Sequence, residues 1–386
     1  MPFNIRLIAT LFLLLASLPA PAGMKKASFV EIEGVAYGAQ ADERGPIGGG
    51  AGYTDIVPSG DHTVSDLDSL LEALSRARAG EVVFIPGETE IDLTARIYIE
   101  DLVLEVPAGV TLAGDRGQEG SQGALLTSDA LDTPEMIRTL GPGVRITGLR
   151  IRGPNTKRYL DHHYRSFTRN EADGGFLYHE GEGPRGGHSY YYQFPVQRGI
   201  STSYDALRVD NCDLSGFAHS AVSLRKGKNH HIHHNFIHHC QYQGLGYGIS
   251  LTEAVALIER NRFDWNRHSI AGSGLAGSGY VARHNLELGT SLSHCFDMHG
   301  GRDRKDGTNI AGTAIEIANN TFRAPQTPIV IRGIPEKSCR VHHNWFPRHR
   351  KASEAVRAEK GTTVENNAYG DPPVVLPIVR EGVEDG

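Results

Sequence analysis

Two histidines and a carboxylate fall within six residues at His294-Cys295-Phe296-Asp297-Met298-His299. Phe296 and Met298 alternate with Asp297 and His299, and in a β-strand alternate side chains point to opposite faces. One face of such a strand is apolar and buried. The other presents Asp297 and His299 side by side. Imidazole titrates near neutral pH and can take or give a proton. A neighbouring carboxylate can orient that imidazole or hold a cation. The pair suits acid–base chemistry and needs a scaffold that brings in its partners.

The scaffold shows as a repeat. The pattern hydrophobic-x-x-Asn-x-hydrophobic occurs at Asn235, Asn261, Asn320, Asn344 and Asn367, with Asn285 on weaker flanks and Cys212 in the asparagine position. Successive steps along Cys212, Asn235, Asn261, Asn285, Asn320, Asn344 and Asn367 are 23, 26, 24, 35, 24 and 23 residues. A period near 24 means stacked repeats, each too short to bury its own apolar face. The long step holds an insertion after His299. This predicts an all-β fold, a parallel β-solenoid. Asparagine suits a recurring turn because it tolerates the left-handed conformation, and its amide can bond the same amide one coil away. Ahead of the coils, Ser65 with Asp68 is read as the N-cap of a short helix carrying Leu67, Leu70, Leu71, Leu74 and Ala77, ending at Ala79-Gly80. It would close the open end of the first coil. Short strands follow, including one through Ile97 and Ile99.

Stacked coils place equivalent residues about 4.8 Å apart. Aligning buried residues matches Val222 and Leu224 with Ile249 and Leu251, Ile270 and Gly272, Phe296 and Met298, and Ile329 and Ile331. The outward columns then read Ser223, Ser250, Ala271, Asp297, Val330, and Arg225, Thr252, Ser273, His299, Arg332. A third, at the strand start, reads Ser220, Tyr247, His268, His294, Thr327, with His219 replacing Ser220 if the first coil slips by one. Asp297, His299, Arg332, His294 and His268 are therefore the candidate catalytic residues. Tyr247, Arg225, His219, Arg302 and Tyr191 are the candidate substrate-binding ones. An acid, a base and a fixed cation together suit proton abstraction beside a carboxylate, as at C5 of a uronic acid.

The rest of the chain bounds this reading. The 386 residues carry a formal charge of −6, which gives no electrostatic support for nucleic acid. Arg6, the apolar run Leu7 to Leu18 and Ala20-Pro21-Ala22 form a signal-peptide pattern over residues 1–22, so the expected location is secreted or periplasmic, with no membrane contact after cleavage. Residues 23–60 are a Gly-rich extension, and 61–386 the solenoid domain, expected to be monomeric. An insertion at about 154–204, rich in His and Tyr, suits sugar stacking or a lid. Cys212, Cys240, Cys295 and Cys339 match no disulfide framework or thiolate metal site and are expected buried and single. The run His230-His231-Ile232-His233-His234 is read as solvated turn or subsite residues rather than a metal site. No metal ligand is assigned. Asp303 and Asp306 keep calcium open as a cofactor.

The cap helix, the Gly80-Glu81-Val82-Val83-Phe84-Ile85-Pro86-Gly87 stretch and the asparagine coils resemble the right-handed parallel β-helix proteins of the pectate-lyase superfamily. Phe296-Asp297-Met298-His299 is similar to the Gly-Phe-Asp-Pro-His-Glu stretch of mannuronan C5-epimerases, whose aspartate, histidine and following-coil arginine match Asp297, His299 and Arg332. Met298 stands for the proline, and His294 for the expected tyrosine, which leaves His294, His268 and Tyr247 as proton donors. The resemblance implies action on an acidic polysaccharide, as a lyase first and as an epimerase otherwise. A glycoside hydrolase would need a second carboxylate beside Asp297. A non-catalytic carbohydrate-binding protein would need aromatic platforms without this convergence.

Overall fold

A computed structural model describes residues 27–130, 135–154, 198–242 and 244–376. The signal-like segment, Tyr191 and residues 155–197 of the insertion lie outside them. The chain is a right-handed parallel β-helix. Each coil contributes strands to an 18-stranded sheet, which bends to give two faces of the solenoid, and to an 11-stranded sheet that forms the third. No helix among the described residues is long and apolar enough to cross a membrane.

The asparagines stitch one corner between faces. Asn261 Nδ2 donates to the Ile232 carbonyl at 2.8 Å and to Asn285 Oδ1 at 3.1 Å. Its Oδ1 accepts from Asn235 N at 3.1 Å and Asn235 Nδ2 at 3.0 Å. The pattern repeats through Asn285, Asn320, Asn344 and Asn367, and the Cys212 N–H closes it on Asn235. Each amide thus satisfies backbone groups that the corner would otherwise bury unpaired. The left-handed residue expected at the ladder position sits one residue earlier. His234, Arg260, His284, Asn319, His343 and Asn366 all have φ between 48° and 55°.

The register agrees with the columns read above. Ser223, Ser250, Ala271, Asp297 and Val330 pair in sequence, as do Val222, Ile249, Ile270, Phe296 and Ile329. Ser220 pairs with Tyr247, so the one-residue slip does not occur. On the third face, the interior column of Phe263, Phe322, Phe346 and Tyr369 is broken by Glu287. Phe296 reaches across the core into that gap, with ring centroids 6.2 Å from Phe263 and 4.8 Å from Phe322. The four cysteines are free and buried.

Helix Leu67–Arg76 seats Leu70, Ala73 and Leu74 in the core. Its N-cap is Asp66, in a capping box with Ser69, and not Ser65. The stretch read as a strand through Ile97 and Ile99 is a helix, Thr94–Glu100, with Ile97 buried and Ile99 77% exposed. The Asp92 side chain takes the Thr94 N–H at 2.9 Å and starts this turn, overriding the alternation.

The N-terminal extension is not patternless. Strands Phe29–Ile32 and Val35–Gly38 form a hairpin whose Tyr37 packs with Trp345 and Ala368. The chain then runs back along the asparagine corner as a strap. Gln40 N reaches His284 Nδ1 (3.4 Å), Gly48 N the Arg260 carbonyl (2.9 Å) and Gly50 N Asn211 Oδ1 (2.8 Å). Tyr53 donates to Asp210 at 3.0 Å. A Cβ on Gly49, at φ 63°, would lie 2.4 Å from the His234 carbonyl, so only glycine fits that close approach. The strap corrects the reading of the histidine run. His233 and His234 are buried beneath it, His234 against Asp42 at 3.1 Å and His231 against Glu259 at 2.9 Å.

Replacing Asn261 by Ala strands buried donors and acceptors on two coils. The expected loss is about 3 kcal/mol in denaturant unfolding, given about 1–3 kcal/mol per orphaned buried group. Glu287 supplies a pH test. Its buried carboxyl has no well-formed hydrogen bond, and burial pushes it up to about 8, with the Ser269 hydroxyl pulling the other way. Between an unfolded value near 4.5 and the folded value near 8, the unfolded chain is ionised while the folded carboxyl keeps its proton. Stability from this group is therefore lost as pH rises through that window. Glu287→Gln removes the dependence. Its stability relative to the parent should rise by about 3 kcal/mol from pH 5 to pH 8.

Candidate active site

Strand Phe296–Met298 turns Phe296 and Met298 inward, both fully buried, and Asp297 outward. Arg332, one coil on, follows strand Ile329–Ile331, and its N–H bonds the Met298 carbonyl at 2.9 Å. Those two links set the side chains against each other. Arg332 Nε donates to Asp297 Oδ1 at 3.0 Å, its Nη2 to Asp297 Oδ2, and Nη2 lies 3.1 Å from His299 Nε2. His299 Nε2 is 3.0 Å from Asp297 Oδ2. From the previous coil, His268 brings its Nε2 to 4.0 Å of the same oxygen, and His294 comes to 3.4 Å. The five candidate catalytic residues form one cluster around one carboxylate.

Burial divides their roles. Asp297 and His268 have side-chain exposures of 0%, His294 12%, and His299 and Arg332 28% each. The outward column was expected to face solvent, yet Ser223, Ser250, Ala271, Asp297 and Val330 are all buried. Ala218, Tyr242, Leu245 and Tyr247 form a satellite apolar cluster over Ala271. Burial alone would push the Asp297 carboxyl up, but His294 and His299 hold it well below the usual carboxylate range. Burial drives His268 well below the ordinary imidazole value and lowers His294.

A carboxylate can only accept hydrogen bonds, so we assign the His299 Nε2 proton to Asp297. The Nδ1 lone pair of His299 is then its reactive atom. Arg332 is engaged on every nitrogen, with Nη1 donating to Asp303 Oδ1 at 3.3 Å. Its paired edge serves Asp297, whereas the sequence had offered it to a substrate carboxylate. Asp303, weighed above for calcium, thus sits at the rim of the cluster, and Asp306 is taken by Arg304 at 2.7 Å. Nothing in the Asp303 spacing signals its contact with Arg332, because the short helix Gly301–Arg304 positions it.

The candidate binding residues spread further. Tyr247 stacks on His268 with centroids 5.7 Å apart, and His219 meets Tyr247 edge-on at 5.7 Å. Burial and the charges of Arg198 and Arg225 push His219 down to about 3. Arg225 is exposed on the same face. Arg302 is 73% exposed and turns to Glu359, two coils on, at 3.4 Å.

No family model matches the chain, and no curated protein matches it in sequence. Solved structures similar to it include an alginate lyase from Paenibacillus sp. str. FPU-7, with TM-score 0.40 and 11% identity over 80% of this chain and 97% of that one. The mannuronan C-5 epimerase AlgE4 A-module of Azotobacter vinelandii gives TM-score 0.31 and 10% identity over 85% of this chain and 94% of that one. A GH87 α-1,3-glucanase catalytic unit from Streptomyces thermodiastaticus strain HF3-3 gives 0.36 and 14%, over 84% and 57%. None reaches 0.5, and no residue role is carried across from them.

Asp297→Asn removes the charge that Arg332 and three imidazoles surround. Breaking a buried pair from one side costs about 3–5 kcal/mol, and a loss of that order is expected in denaturant unfolding. A change within 0.5 kcal/mol would mean the cluster does not hold the fold together.

Proposed function

We propose that the chain is a polysaccharide lyase acting on a uronic-acid polymer. The observation that carries this reading is His299, partly exposed, with its Nε2 proton held by Asp297 and Nδ1 left as a base. The Asp297 carboxylate stabilises the imidazolium that proton capture creates. In the proposed reaction Nδ1 takes the C5 proton, and the C5–H electrons form the C4=C5 bond. The C4–O4 bond breaks, and the same imidazolium returns its proton to the departing O4. The substrate carboxylate would meet the Nη1 edge of Arg332 in place of the partly exposed Asp303. That contact neutralises charge building on the C5 carboxylate.

Asp297 cannot also serve as one of two free hydrolytic carboxylates, because it is buried and paired on both oxygens. The signal-like N-terminus supports export, and the reading places the enzyme outside the cytoplasm as a monomer.

The test is a panel of uronic polysaccharides followed by absorbance at about 235 nm, where the 4,5-unsaturated product absorbs. Growth of that band is expected with at least one polymer. New reducing ends without it would make the chain a hydrolase. Altered uronic-acid composition without either would make it an epimerase. His299→Ala should lower kcat by about 10²–10⁴-fold, the usual worth of a general base. Retained activity in that variant would remove His299 from the reaction.

A further inference from the structure

We infer that His268, His294 and Asp297 form a binding site for a divalent transition-metal ion, with Zn2+ as its fitting representative. Two imidazoles and one carboxylate oxygen lie with their ligand atoms all within 4.8 Å of one another. The inference concerns the deep side of the cluster and holds whether or not the proposed elimination is correct.

The direction of the His268 ring carries it. His268 Nδ1 lies 2.6 Å from the His294 carbonyl oxygen. A carbonyl only accepts, so Nδ1 bears the hydrogen and Nε2 of the neutral ring carries a lone pair. That Nε2 is buried, has no hydrogen-bond partner and faces Asp297 Oδ2 at 4.0 Å. A lone pair aimed at a carboxylate is repulsive unless a cation lies between them. His294 Nε2 is likewise buried without a well-formed hydrogen bond, 3.4 Å from the same oxygen. One cation between the two rings and the carboxylate would give both nitrogens a full partner.

The surroundings fit the role. Metal-bound histidines characteristically give their other ring N–H to a carbonyl or carboxylate, as His268 does. Metal–ligand bonds of about 2.0–2.1 Å at tetrahedral angles put ligand atoms about 3.3 Å apart. The separations of 3.4 and 4.0 Å are within a short side-chain movement of that. Arg332 holds both Asp297 oxygens, and Oδ2, 3.0 Å from His299 Nε2, is the one that both deep imidazoles approach, so an ion there shares it with these donors. The donors suit zinc and its neighbours. Calcium wants a larger shell of oxygens. Three protein ligands leave a coordination position for water or a substrate oxygen.

The experiment uses the full chain purified without a polyhistidine tag, stripped with chelator and titrated with Zn2+, Co2+ and Ca2+. Expected are one equivalent of Zn2+ by elemental analysis, a visible d–d spectrum with Co2+, and no competition from Ca2+. His268→Gln and His294→Gln should each weaken Zn2+ binding at least 100-fold. The pair His342→Gln/His343→Gln, on a distant corner, should leave it unchanged. Absence of stoichiometric Zn2+ or of the Co2+ spectrum in the unaltered chain overturns the site. Full Zn2+ binding by a His268→Gln/His294→Gln variant with a native circular-dichroism spectrum overturns it equally. Because metal is read without substrate, metal binding without lyase activity would separate this site from the proposed reaction.

Discussion

Every feature of this molecule depends on the coils stacking in register, and the asparagine ladder enforces that register at one corner. A parallel strand pair tolerates slippage unless something fixes it, and a one-residue slip turns every side chain to the opposite face. Here each ladder amide donates to a carbonyl of the preceding coil and accepts the N–H of that coil's own ladder residue. A slip would break both in a buried corner. The cluster around Asp297 is a consequence. Asp297 and Arg332 belong to neighbouring coils, and only a fixed register gives Arg332 both Asp297 oxygens.

The same constraint explains how much could be read in advance. Period-two alternation and the 24-residue repeat are imposed on the chain by stacking, so inward and outward columns came out residue for residue. Asp297, His299 and Arg332 were found together for that reason. What escaped has no period. The strap touches the corner between Asn211 and His284 through backbone groups and glycines, and a glycine does not announce what approaches it. The strap buries histidines that otherwise read as solvated. The helix at Thr94–Glu100 escaped because Ile97 and Ile99 imitate a strand, while the deciding contact is one Asp92 turn. Glu287 was visible in principle, as a carboxylate where its coil neighbours carry phenylalanine.

Register alone does not describe the site, because its energetics are set by depth. Outward residues near Asp297 were expected to be wet, and the Tyr242, Leu245 and Tyr247 cluster keeps Ala271 beside it dry. In low dielectric a carboxylate must be paired, and Asp297 is paired with Arg332 on both oxygens. The arginine fork is thereby spent inside the protein. In the proposed reaction, chemistry toward a substrate would fall to His299 Nδ1 and Arg332 Nη1, the latter now held by Asp303 at the rim.

Precision at those edges comes from the opposite side of the strand. Phe296 is Asp297's neighbour, and its ring fills the gap that Glu287 leaves between Phe263 and Phe322. A phenylalanine at position 287 would compete for that volume and push the strand outward. A glutamate there carries a desolvation cost, seen in its raised carboxyl. The Phe296 ring, on the strand that carries Asp297, lies between Phe263 and Phe322 beside that position.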